Sequence, residues 1–228
     1  MKYMFTLLAV CLAVLPLTAQ DDGLTVEEAY LQSAKKVQRL KTLAGQEDRD
    51  AKLMALQDIE RMIEEGKLNG SEEAVVDMLT DMGREGTGRI YMEQGTMKNN
   101  FPEVRRKSVE LLGEIGGEES RRAITDILGQ ENEPMVMSEA VVALAKIGPD
   151  EDGITLQVMA SAMNSQTAMN RDNNFAYAYL TSLEIMNENG HELTDEYLIS
   201  ELVKLFDMRN GYNTVVRKKA MEVFRTLE

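Results

Sequence analysis

Few side chains in this 228-residue sequence could do chemistry: it has one histidine, one cysteine, no tryptophan and 16 methionines. His191 stands in NENGHELTD, with no second histidine or cysteine to complete a zinc site and no nucleophile beside it to activate, so it is expected on the surface. No serine occupies G-x-S-x-G, and no G-x-x-x-x-G-K-[ST] loop is present to cradle phosphate. GREGTG, at 83–88, has its glycines in the wrong order for a dinucleotide loop, and no strand pattern precedes it. PDEDG, at 149–153, looks like a fragment of a calcium loop. With Asp152 as its fifth ligand, however, the twelfth would be Met159 instead of glutamate. Asp152 is therefore expected to open a helix and Pro149 to stop one. Met78/Met82 and Met159/Met163 have i,i+4 spacing and could offer thioethers to Cu(I), but filling a core poor in aromatics is the simpler use. No catalytic, metal-binding or cofactor-binding constellation is read, and the chain is not expected to be an enzyme.

Charge narrows the partners. With 39 acidic against 25 basic residues, the net charge of −14 will not hold the chain on nucleic acid or on an anionic bilayer. A protein partner is the expectation. The first residues read as a targeting segment. Lys2 precedes the apolar run MFTLLAVCLAVLPL and then TAQDD, the order of a secretory signal peptide over residues 1–19, cleaved after Ala19. Cys11 lies inside it, so the processed chain would hold no thiol and would fold without disulfides. Secretion across the inner membrane, to a periplasmic or other cell-envelope location, is the corresponding expectation. No transmembrane helix is expected in residues 20–228.

These residues must be positioned by helices, because helical periodicity runs through almost the whole chain and period-two alternation is nearly absent. TVEEAYLQSAKKVQRLKTLAG starts with Thr25 and Glu28 in capping-box spacing and sets Ala29, Leu31, Ala34, Val37, Leu40 and Ala44 near one stripe. Its basic run KKVQRLK suits a helix C-terminus. In the next helix, Leu53, Leu56, Ile59 and Ile63 form the stripe, and Ser71 is expected to cap the one after it.

Two later segments repeat. FPEVRRKSVELLGEIG (101–116) and EPMVMSEAVVALAKIG (133–148) share six of sixteen residues at an offset of 32, namely Pro102/Pro134, Val104/Val136, Val109/Val141, Leu112/Leu144, Ile115/Ile147 and Gly116/Gly148. Pro102 fits a first helical turn and Gly116 a left-handed helix end. Val104, Ser108, Leu111, Leu112 and Ile115 make the apolar stripe, while Glu103, Arg106, Glu110 and Glu114 are left to face water. The buried half repeats and the exposed half drifts. Each such helix is followed by another, with Ala123, Ile124, Ile127 and Leu128 inward on one, and Ile154, Leu156, Val158, Met159 and Ala162 on the next. In the final helix Val216, Arg217, Ala220 and Phe224 align with Val104, Arg105, Ser108 and Leu112. One pair cannot bury its own apolar face, but stacked pairs can share a core. An all-α solenoid of stacked antiparallel helix pairs follows. It would be a single domain over 20–228, with a capping helix at 25–44 and repeats near 47–83, 101–130, 133–163, 173–206 and 213–228.

PEVRRKSVELLGEIG, PMVMSEAVVALAKIG and the VVRKKA at 215–220 resemble the HEAT-repeat family, nearest its bacterial short-repeat type named after phycobilisome lyases. The shared pattern is a valine, a basic residue, a small residue, then aliphatics closing on glycine. Met137 replaces the basic residue in the second copy, which breaks a continuous ladder of arginines. The resemblance implies an α-solenoid that binds other macromolecules, and it does not imply an enzyme.

Candidate contact residues follow from the exposed side of the second helices. Arg121, Arg122 and Asp126 point away from Ile124 and Leu128, although Arg122 and Asp126 could simply pair with each other at i,i+4. REGTGRIYMEQGTMKNN, at 84–100, is long for a connection and lacks an amphipathic stripe. Ile90, Tyr91 and Met92 are expected to tuck under the flanking helices and Arg89 to project, although the segment could merely seal two repeats. SQTAMNRDNN, at 165–174, reads as an exposed loop. The leading expectation is a non-catalytic protein-binding scaffold or adaptor of the bacterial cell envelope. The alternative is a lyase-like or chaperone-like factor acting on a partner-bound prosthetic group, to which this chain brings few aromatics and no thiol once processed.

Overall fold

A computed structural model describes residues 26–68, 70–166, 171–193 and 195–227. The signal-peptide reading, the Thr25 cap and part of the 165–174 loop lie outside them. Among the described residues the chain forms ten α-helices: α1 (Val26–Ala44), α2 (Arg49–Glu64), α3 (Glu72–Arg84), α4 (Pro102–Ile115), α5 (Gly117–Gln130), α6 (Pro134–Ile147), α7 (Ile154–Asn164), α8 (Asn173–Glu188), α9 (Glu196–Phe206) and α10 (Thr214–Leu227). A 3₁₀ turn spans Met208–Asn210, and two short strands, β1 (Met92–Glu93) and β2 (Thr96–Met97), interrupt the series between α3 and α4.

Local chemistry sets the helix ends. Asp48, Asp172 and Asp195 accept backbone N–H groups at the starts of α2, α8 and α9, at 2.8–2.9 Å. Pro102 and Pro134 occupy the first turns of α4 and α6. Ser71 does not cap α3; its hydroxyl instead donates back to the carbonyl of Leu68. At α7 the cap is Asp150, not the expected Asp152, because only the earlier carboxylate reaches the orphan N–H groups of Ile154 (3.0 Å) and Thr155 (2.6 Å). Burial pushes the Asp150 carboxyl up, but the hydrogen bonds from Thr155 and Ile154 prevail and hold it below the ordinary aspartate range. Gly116 (φ 70°, ψ −164°) and Gly148 (φ 92°, ψ 161°) have positive φ without being left-handed helical. Their backbone lies in a region open essentially to glycine, which turns the chain sharply between paired helices.

The helices stack in two layers. α2, α4, α6, α8 and α10 pack in succession as one layer, and α1, α3, α5, α7 and α9 as the other. The chain is an α-solenoid, with one continuous apolar core running between the layers. Val104, Val136 and Val216 are equivalent in it, none more than 1 % exposed. Small residues let neighbouring helices approach. A Cβ on Gly113 would stand 2.7 Å from Cβ of Ala143 across the α4–α6 contact. Met78, Met82, Met159 and Met163 all fill this core.

Some expected faces shift. Leu31 is half exposed, and among the α1 side chains described only Leu40 and Ala44 are buried, with Val37 and Leu43 packed against the core. Ile154, in the first turn of α7, is also exposed. The charges of α4 do more than face water. Arg106 reaches Glu139 of α6 (3.1 Å), Lys107 reaches Glu60 of α2 (2.6 Å), and Glu103 pairs with Arg49 of α2. Each such pair contributes only about 0.2–1 kcal/mol, but together they link three successive helices of one layer, α2, α4 and α6. Tyr179 is fully buried, and its hydroxyl has no partner among the described residues. Burial drives its pKa far upward, so it stays protonated. Tyr179→Phe is expected to raise stability by about 1 kcal/mol in a urea melt, since it removes an unpaired polar group and little volume.

Candidate functional site

The connection between α3 and α4 is a clamped hairpin. Gln94 (φ 50°) and Gly95 (φ 81°) form its two-residue turn, with Met92 opposite Met97 and Glu93 opposite Thr96. Two successive positive φ values match the twist of the strands they join. Asn99 fastens the open end. Its Oδ1 accepts from the N–H of Tyr91 (2.6 Å) and its Nδ2 donates to the carbonyl of Arg89 (2.7 Å), while the Lys98 N–H donates to the Tyr91 carbonyl (2.9 Å). Gly86, at φ 79°, allows the two ends to cross, because a side chain there would run into the carbonyl oxygen of Asn99.

Beneath the hairpin lie two buried cations. Lys52, on α2, donates to the carbonyl of Ala44 and pairs with Glu85, both at 2.7 Å. Arg105, on α4, places Nε 2.7 Å from Oε2 of Glu131 and Nη2 3.3 Å from Oε1, and its Nη1 donates to Oδ1 of Asn100 (2.6 Å) and the Glu85 carbonyl (3.4 Å). Side chains of Arg105 and Glu131 are 3 % and 1 % exposed. Glu131 also accepts the N–H groups of Asn132 and Glu133 at 2.9 Å, which fixes the turn into α6. Two cations and two carboxylates therefore tie α1, α2, the hairpin base, α4 and the α5–α6 turn into one charge-balanced block.

The exposed side chains of the hairpin correct an expectation. Ile90, Tyr91 and Met92 do not tuck under the helices; each is more than half exposed. The two ends of the segment are instead anchored by polar contacts, Glu85 to Lys52 and Asn100 to Arg105. Arg89 is exposed beside them, as expected. Four consecutive side chains are thus held out on a rigid base.

The other sequence-predicted contact residues gather elsewhere. Arg121, Arg122 and Asp126 line a groove of about 280 Å³ between α5 and α7, with Asp150, Asp152 and Ile154 across from them. Arg121 is largely covered and pairs with Glu118. Arg122 is exposed and also meets Glu118, at 2.7 Å. Asp126 pairs with Arg84 of α3 (2.7 Å) and not with Arg122. Arg105 belongs to the clamp, and its counterpart Met137 is buried in the core. Arg217, the third copy, is half-buried with Nη2 3.3 Å from the Thr214 hydroxyl. His191 is half-buried: a Cβ on Gly148 would lie 2.8 Å from its Nε2, so the ring packs on the glycine that closes α6. Lys52, Glu85 and Glu131 carried no sequence signal. The hairpin carried one in Gln94-Gly95, a glycine at the turn position within a polar, strand-length segment.

Comparison with known proteins bears on the middle of the chain. No curated protein and no solved structure matches it. No described helix is long and apolar enough to cross a membrane. Residues 92–172 match the family model for HEAT repeats. The match takes in β1, β2 and α4 to α7, the two helix pairs whose valines, small residues and glycines recur. The segment 92–172 is therefore similar to HEAT repeats, and the helices described in it belong to an α-solenoid whose two layers continue on either side.

Proposed function

We propose that this protein is a non-catalytic, protein-binding scaffold or adaptor of the bacterial cell envelope, of the short-repeat HEAT type, and that the hairpin is its principal contact element. The observation that carries the reading is the exposure of Ile90, Tyr91 and Met92 on a base held by buried ion pairs. A connection that only sealed two repeats would turn those side chains inward and would need no buried charge. Large side chains already fixed in position lose little entropy on docking, which favours them as anchors in an interface. HEAT repeats commonly act as protein-interaction scaffolds, which is compatible with this role.

The envelope location rests on the leader-like residues 1–19 and on a processed chain without thiols. Intact mass of the protein from native cells should correspond to a chain starting at Gln20; a chain retaining Met1 in the cytosol would contradict the location. The contact role is tested by in-cell chemical crosslinking of two variants. Ile90→Ser with Tyr91→Ser and Met92→Ser is expected to lose a stoichiometric partner adduct at least tenfold, with the melting temperature within about 2 °C of the parent, since all three side chains are exposed. Arg121→Glu with Arg122→Glu, in the groove between α5 and α7, is expected to change capture less. The reverse ranking would move the contact surface to that groove.

A further inference from the structure

We infer that the pocket between α7, α9 and the connection to α10 is a binding site for a carboxylate. It encloses about 150 Å³ and is lined by Asn164, Gln166, Arg171, Glu201, Lys204 and Tyr212, with Met163, Leu205 and Asn210 at its edges. That is room for about five waters, or a carboxylate with a few atoms attached.

The charges within it do not balance. Glu201 is 3 % exposed and is matched by Lys204, with Nζ to Oε1 at 2.6 Å; the same Nζ donates to Oδ1 of Asn164 at 3.3 Å. That pair neutralises itself. Arg171 is left over. Among the described residues no carboxylate lies within ion-pair distance of it, and its Nε is buried without a hydrogen-bond partner. Its guanidinium is nevertheless fixed, with Cζ 5.3 Å from the centroid of the Tyr212 ring, a cation–π stack. Gly211 admits it there, since a Cβ at that position would lie 2.5 Å from Nη1. A guanidinium held over an aromatic ring, with its Nε unspent, suits the oxygens of a carboxylate. Lys204 and the amides of Asn164 and Gln166 add polar groups to the same walls. In a chain of net charge −14, this pocket sets two cations against one anion among its lining groups, which makes an anionic ligand the fitting one.

A free short carboxylate and the carboxyl terminus of a polypeptide offer the same group, and titration separates them. The full processed chain would be followed by amide and side-chain NMR during addition of acetate, triglycine and triglycine amide. Saturable shifts at Arg171 and Tyr212 with triglycine, absent with the amide, are expected. If acetate saturates the same signals at equal concentration, the ligand is a small carboxylate; if only triglycine does, it is a peptide terminus. Arg171→Lys keeps the charge but loses the planar fork, and should weaken binding at least about tenfold. Equal binding of acid and amide, no shift at Arg171 or Tyr212 with either carboxylate, or unchanged affinity in Arg171→Lys would overturn the assignment. The site is independent of the hairpin, so the triple hairpin variant should bind the same carboxylate unchanged.

Discussion

Replacing Arg105 with alanine is expected to lower stability by about 3–5 kcal/mol, the cost of leaving one partner of a buried ion pair alone. For a chain of this size that corresponds to a fall in melting temperature of about 10 °C. The loss exceeds what an exposed pair could give, because the side chains of both Arg105 and Glu131 are buried. The next repeat supplies the internal control. Met137 fills the equivalent position and is buried in apolar surroundings, so the fold accepts a thioether there. Arg105→Met combined with Glu131→Gln should therefore recover much of the loss, with the glutamine oxygen still available to the N–H groups of Asn132 and Glu133. Calorimetry of the two variants beside the parent checks the ranking. The single variant should also release the hairpin, because Asn100 and the Glu85 carbonyl lose their shared donor; hydrogen exchange at the Tyr91 and Lys98 N–H groups should accelerate. Unchanged exchange at both would detach the clamp from the hairpin.

Leu144→Ala is expected to cost about 2–5 kcal/mol, the range for emptying a fully buried leucine site. Leu144 is 0 % exposed on α6, which packs against α4, α5 and α8. Its position gives the substitution a second signature. Stability in a solenoid is close to a sum of repeats and nearest-neighbour interfaces. A cavity at a central interface should therefore uncouple the two ends, and the urea melt should broaden or split. Leu205→Ala, near the end of the array, should lower stability without splitting the transition. A sharp single transition in the Leu144 variant would mean that the layers are more strongly coupled than nearest-neighbour packing provides.

The repeat was legible because burial constrains residue type. Val104, Val136 and Val216 recur since each is buried in the core shared by the two layers, and Gly116 and Gly148 recur since their backbone excludes other residues. The small positions carried the same information, as with Gly113 against Ala143. Charged residues were harder to place. Periodicity assigns apolar residues to a buried face and leaves charges to water by default. Arg105 and Glu131 are 26 residues apart, and nothing local marks them as partners. Lys52 was hidden for the same reason. The strands of the hairpin are two residues each, too short to show alternation, so the outward turn of Ile90, Tyr91 and Met92 depended on a clamp that pattern alone could not reveal. At α7 the distinction between Asp150 and Asp152 was one of reach, set by the loop and not by residue type.

The most direct test of the hairpin as a docking element is photocrosslinking in native cells, with a photoreactive phenylalanine analogue placed at Tyr91 in one chain and at Val203 of α9 in another. Both positions are exposed, so either probe is free to touch a partner. The expected result is one discrete protein adduct from position 91, abolished by the added Arg105→Ala change, and no comparable adduct from position 203. Equal adducts from both positions, or none from position 91 while 203 captures a partner, would contradict the assignment.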